Sequence, residues 1–283
     1  MEKSAHTTRQ QPERQTNQEI IAVNIKALIE QLEKGKSEYL TAYLSAMARF
    51  HRYSFGNILS IARHRPDATQ VAGFHTWIAV GRHVLKGQKG IPIQAPMTVS
   101  RRERDEGIGV QDGNHERKLI GFRTVYVFDI AQTEGAELPS PAIVSGEVGG
   151  HHDRLVELVA EQGIELEYNE QIAPTQGVSF GGRIVLLPGQ SKAEEFTTLV
   201  HELAHEILHH GERRAGTDKA VRETEAEAVA FIVSCAVGLD NGCASADYIS
   251  LYSGNAELLT ESLAVIQQAS TTILNALFTG EAK

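Results

Sequence analysis

The sequence predicts an α+β protein of two domains, the first carrying a long β-hairpin and the second organised around one metal-binding helix. Three observations predict this. The 283 residues suffice for two cores, and the charge divides unevenly: Lys+Arg against Asp+Glu is 19 to 15 over residues 1–140 and 8 to 21 over 141–283. A stretch with Pro139, Pro141, Ser145, Gly146, Gly149 and Gly150 marks a linker over 139–151. Beyond it the chain holds H-e-x-x-h residues in a helical setting, His201-Glu202-Leu203-Ala204-His205. The expected divisions are a disordered leader over 1–16, a first domain over 17–138, the linker over 139–151 and a second domain over 152–283.

Residues 1–16 are polar and lack periodicity, which predicts disorder. Apolar residues from Ile20 to Leu32 repeat at helical spacing up to Gly35, and further helices are expected over 39–50 and 57–63, the last stopped by Pro66. Residues 74–80 read as a short helix or strand. Residues 91–97 and 119–130 are apolar and β-favouring, and the charged, glycine-containing segment 101–118 between them reads as the tip of a long hairpin. After the linker come a helix over 152–162, a strand over 164–168 and a hairpin joining 178–180 to 184–187 through Gly181-Gly182-Arg183. Ser191 with Glu194 forms a capping box for a helix from Lys192 to about His210, ending at Gly211. Thr217 or Asp218 caps the next helix, and a last amphipathic helix spans 256–277.

No apolar run is long enough to span a membrane, and residues 1–18 lack the apolar core of a secretory signal. With only Cys235 and Cys243 there is no disulfide framework, so a cytoplasmic address without membrane attachment is expected. Within 41–90, seven basic residues (Arg49, Arg52, Arg63, Arg65, Arg82, Lys86, Lys89) stand against Asp67 alone, a density suited to a phosphate backbone.

The metal motif rests on helix geometry. Four residues make little more than one turn, so His201 and His205 project about 40° apart and can meet one ion, zinc in the first place and manganese or another divalent ion as alternatives. Glu202 lies about 100° round the helix from His201, where it can reach a water on the ion, and is placed as general base. Positions 201, 205 and 209 span about 12 Å, which excludes His209 as the third ligand of the same ion. The metzincin pattern is absent, since Leu208 and Gly211 stand where that pattern has its glycine and third histidine. The third ligand is therefore one of Glu223, Glu225 and Glu227, carboxylates at the entrance of an otherwise apolar helix.

Residues 190–235 resemble the ImmA/IrrE group of zincin metallopeptidases, with Glu225-Ala226-Glu227-Ala228-Val229-Ala230 corresponding to that group's E-A-x-x-[FV]-A. The resemblance makes Glu225 the ligand, with Glu223 and Glu227 as fallbacks. The segments 53–59, 71–77 and 81–91 are similar to the N-terminal domain of ArdC-type antirestriction proteins of plasmids and other mobile elements. His75 and Ile78 depart from that pattern, standing where basic residues are common. This resemblance implies a single-stranded-DNA-binding domain followed by a zincin-like metallopeptidase domain. Together they protect incoming DNA from restriction, as in conjugation, with a peptide or protein as possible substrate. Single-strand binding combines cations with aromatic faces, and the candidates are Arg49, Arg52, Tyr53, Phe55, Asn57, Arg63, Trp77, Arg82, Lys86 and Lys89. Phe50 and Phe74 are assigned to the core. Two alternatives stand beside this reading: a DNA-binding protein with a purely structural metal, and a DNA-triggered regulatory protease that cleaves a repressor or a restriction subunit.

Overall fold

The computed structural model describes residues 16–100, 117–137, 148–239 and 255–279. Residues 1–15 of the expected leader, 101–116 of the charged hairpin tip, most of the linker and Cys243 lie outside the described residues. The chain is an α+β arrangement of helices with small sheets.

Helix α1 (Asn17–Leu32) starts from a capping box in which Thr16 and Glu19 satisfy each other's backbone N–H. It packs with α2 (Glu38–Arg49) and α3 (Phe55–His64). A three-stranded antiparallel sheet follows, with β4 (Arg117–Asp129) between β1 (Val71–Gly73) and β3 (Ile91–Ser100). Helix α4 (Phe74–Ala79) follows β1 directly, and β2 (Arg82–Val84) pairs with β5 (Thr133–Gly135). Helix α3 lies along the unpaired edge of β3, and Asn57 fixes it there: its amide donates to the Gln94 carbonyl and accepts from the Gln94 N–H at 2.9 and 2.8 Å.

In the second half, α5 (Gly150–Glu161) leads to a sheet in which β8 (Arg183–Leu186) lies between a parallel β6 (Glu165–Tyr168) and an antiparallel β7 (Gly177–Ser179). Strand β8 is paired on both sides, and β7 is the outer strand, packed beside the helix that carries His201 and His205. That helix, α6 (Lys192–Leu208), begins at the expected Ser191–Glu194 capping box. His209 caps its C-terminus, and Gly211, at φ +55°, opens a short helix that the sequence did not announce, α7 (Gly211–Gly216). Asp218 caps α8 (Lys219–Ala236) by accepting from Val221 N–H, and α9 (Ala256–Leu277) closes the fold.

Helix α8 is the central beam. It packs on α6, on α9 and on α2 from the first half, so the buried apolar side chains of both halves form one continuous cluster. Polar contacts follow the same seam: Thr271 donates to the His51 carbonyl, and the His51 ring stacks on Phe278 at 5.8 Å. No helix among the described residues is long and apolar enough to cross a membrane.

Candidate metal centre and nucleic-acid surface

Leu199, Leu203, Val200 and Ala204 bury one side of α6 completely, which turns His201 and His205 to a partly open side facing α8. Their Nε2 atoms lie 3.1 Å apart, and each is 3.6 Å from the same oxygen, Glu223 Oε2. Three donors about 2.05 Å from one tetrahedral ion stand about 3.4 Å from each other, so this triangle has the size that such an ion requires. The donor types also suit it, two imidazole nitrogens and one carboxylate oxygen.

In this grouping Glu223, and not the expected Glu225, faces the two histidines. Successive helix residues turn by about 100°, so Glu223 and Glu227, one turn apart, share a face, while Glu225 points about 200° away from Glu223. Glu225 belongs to the stripe of Val221, Ala228, Val229 and Ile232 and, like most of them, is wholly buried. There it accepts from His209 Nε2 at 3.0 Å, from Ser262 Oγ at 2.6 Å and from the Arg213 guanidinium. That periodicity was readable in the sequence and identifies Glu225 as a core carboxylate needing partners.

Each metal-facing ring is held from behind. His201 Nδ1 lies 3.5 Å from Glu227 Oε2, and His205 Nδ1 lies 2.8 Å from His209 Nδ1. The second contact dictates protons. An ionised Glu225 only accepts, so His209 carries its proton on Nε2 and accepts at Nδ1; His205 must then donate from Nδ1, which leaves its Nε2 lone pair free for an ion. Burial lowers both metal-facing rings. For His201 the carboxylates of Glu223 and Glu227 outweigh it and raise the pKa to about 9, whereas burial and the neighbouring His201 charge push His205 down to about 4.

Glu202 is 7% exposed and lies against Gly177 of β7. Burial, which outweighs the His201 charge, raises its carboxyl above the ordinary value, suiting it to take up a proton. Gly177 makes room for it: a Cβ there would lie 2.7 Å from Thr198 Cγ2 and 2.9 Å from Glu202 Cγ. Gly177→Ala is expected to displace the Glu202 side chain while leaving metal stoichiometry unchanged; a crystal structure of the variant beside metal analysis checks this.

The next acidic residue, Glu206, clamps the β7–β8 turn by accepting from Ser179 Oγ at 2.6 Å, Gly181 N at 2.8 Å and Gly182 N at 2.7 Å. Burial works to raise its pKa, but these donors outweigh it and the net shift is downward. The clamp therefore stabilises the fold above the ordinary carboxylate pKa of about 4.3 and is lost as pH falls through the lower folded value. The melting-temperature gap between wild type and Glu206→Gln is expected to be widest near neutrality and to close in acid.

The candidate DNA residues scatter. Trp77 and Asn57 are corrected to internal roles: Trp77 is 3% exposed with Nε1 donating to the Phe128 carbonyl, and Asn57 binds the Gln94 backbone. Arg49 donates to the Pro66 carbonyl, Arg63 to Asn24 and Arg82 to Thr133 and Ala136, so these guanidinium groups brace the fold. Phe55 packs edge-on against Tyr43, and half-buried Tyr53 donates to the Val71 carbonyl. Arg52, Lys86 and Lys89 are exposed. Phe50 is buried as expected, but Phe74 is 46% exposed, because the short α4 leaves it on the open side of the sheet.

Residues 12–128 match the family described as the N-terminal domain of anti-restriction factor ArdC. The fold is that of ArdC. Over 92% of this chain and 98% of the other, it superposes on the metal-free crystal structure of the antirestriction protein ArdC from plasmid R388 with a TM-score of 0.54 at 17% identity. The Mn(II)-bound structure of that ArdC gives a TM-score of 0.53 at 16% identity, over 91% and 97% of the two chains. An uncharacterized protein of Bacillus anthracis, pXO2-81, is 24% identical over 272 residues, 82% of this chain and 46% of that protein. The chain thus spans about half the length of the curated relative it matches.

Proposed function

We propose that this chain is an ArdC-type antirestriction protein that binds single-stranded DNA and carries a zinc-dependent or manganese-dependent peptidase centre, protecting incoming DNA from restriction. The observation that carries the enzymatic half is the triangle of His201 Nε2, His205 Nε2 and Glu223 Oε2 with buried Glu202 beside it. The Mn(II) of the R388 relative supports a divalent ion in this fold. Held by these three atoms, such an ion would supply a Lewis acid that activates water and polarises a carbonyl.

The remaining work falls to the chain's own groups. The Glu202 carboxylate takes the proton of the attacking water and returns it to the leaving amide nitrogen. Glu227 and the His209–Glu225 pair keep the two histidine rings turned so that Nε2 faces Glu223. Strand β7 lies along the side of Glu202, where an extended peptide can add to the sheet and present its carbonyl.

The test is cleavage of an unstructured polypeptide, read by mass spectrometry, with metal-loaded protein, with chelator and with single-stranded DNA added. Chelator-sensitive cleavage is expected. A fully metal-loaded protein that leaves every peptide bond intact with and without DNA contradicts the peptidase assignment.

A further inference from the structure

The sheet β1–β4–β3 has one face in the core, carrying Ile91, Ile93 and Val127, and one open face. Alternation along β4 places Phe122, Thr124, Tyr126 and Phe128 on the open face, opposite Pro96, Gln94, Pro92 and Ala72. Val125 and Val127 turn inward instead. Phe122 is 47% exposed and Tyr126 60%, and Phe74 extends the row by packing against Phe128 at 6.4 Å between ring centres. Neighbouring side chains on such a face are about 6.8 Å apart along the strand, so Tyr126 and Phe128 present two adjacent ring surfaces.

The surroundings are basic. Residues 68–100 and 117–128 contain no Asp or Glu. The loop 85–90 is pinned to the sheet by Gln132, which donates to the Lys89 carbonyl at 2.9 Å and whose own carbonyl accepts from Leu85 N–H at 2.9 Å. Gly90 lets that loop lie against the aromatic row, since a Cβ there would sit 2.8 Å from Tyr126 Cβ and 3.1 Å from Phe128 Cζ. Lys86 and Lys89 thus stand exposed at the rim.

We infer that this face is the base-stacking platform for single-stranded DNA, with Phe122, Tyr126 and Phe74 under the bases and Lys86 and Lys89 along the phosphates. It rests on the single-stranded-DNA reading above and gives that reading a location. A protein partner would meet an apolar surface rimmed by one sign of charge only. A flexible polyanion with flat apolar rings satisfies both features, while a duplex keeps its bases stacked inside.

The experiment is fluorescence anisotropy of a labelled oligo-dT across a salt series. Phe122→Ala combined with Tyr126→Ala is expected to weaken binding at least about tenfold, since each aromatic face is worth roughly 5–150-fold per stacked base, with the salt slope unchanged. Lys86→Ala with Lys89→Ala is expected to reduce the slope by about 1.4, at about 0.7 for each phosphate contact on single strands. Tyr126→Trp keeps the fold and the aromatic face and adds a reporter: its emission should be quenched by oligo-dT, whereas wild-type emission, from buried Trp77, should not change. Unchanged affinity in the double aromatic variant, or an unquenched Tyr126→Trp, overturns the platform while leaving DNA binding intact. Failure of the wild type to bind oligo-dT at low salt overturns the DNA reading itself, and the platform with it.

Discussion

Glu202→Gln is expected to lower peptide hydrolysis by about 10²–10⁴-fold, the range of a positioned general base, while metal content stays at wild-type stoichiometry. The separation follows from geometry. Glu202 is directed at Gly177 and β7, and contributes no atom to the His201–His205–Glu223 triangle. Glutamine keeps the volume and the hydrogen-bonding oxygen but cannot accept the water's proton. DNA affinity should be untouched, because the open face of the β1–β4–β3 sheet belongs to a different sheet. If DNA protection in cells survives this change, binding alone accounts for protection; if it is lost, the hydrolytic step is needed.

Glu223→Ala and Glu225→Ala should fail in opposite ways. Removing Glu223 leaves two histidines to hold the ion, so affinity is expected to drop by more than the 10–100-fold that loss of a supporting group costs. Stability should change little, because that side chain is half exposed. Removing Glu225 leaves His209, Ser262 and Arg213 without their common acceptor in a buried site. The expected cost is about 3–5 kcal/mol, the scale of a broken buried ion pair, and a melting temperature lower by on the order of 10 °C. Ion binding should persist at saturation, weakened about 10–100-fold through the loss of the His209 support. Isothermal titration with Mn²⁺ or Zn²⁺ beside thermal melts distinguishes the two.

Much of the architecture could be read from local chemistry. The Ser191–Glu194 box, the helical spacing around His201 and His205, and the last amphipathic helix over Ala256–Leu277 appear as the periodicity implies. Rotation was harder. Which carboxylate faces the histidines depends on the phase of α8 against α6, and the buried stripe through Val221, Glu225 and Val229 sets that phase. The acidic triplet alone pointed to any of three residues. Resemblance to the E-A-x-x-[FV]-A pattern picked the residue that the core claims. Likewise β4 reads as apolar at nearly every position, so its sequence does not say which face stays open. Only the folded structure shows that Ile91, Ile93 and Val127 take one face into the core, that Phe122 and Tyr126 on the other are uncovered, and that Trp77 is enclosed. The spacing of the arginines likewise does not show that Arg49, Arg63 and Arg82 also hydrogen-bond to carbonyl and side-chain oxygens within the fold.

The most direct measurement is anomalous diffraction from crystals of the protein grown with Mn²⁺ or Zn²⁺. A single strong peak is expected about 2.0–2.2 Å from His201 Nε2, His205 Nε2 and Glu223 Oε2, with Glu225 still on His209. A peak coordinated by Glu225, or no peak between α6 and α8 at saturating metal, contradicts the centre described here.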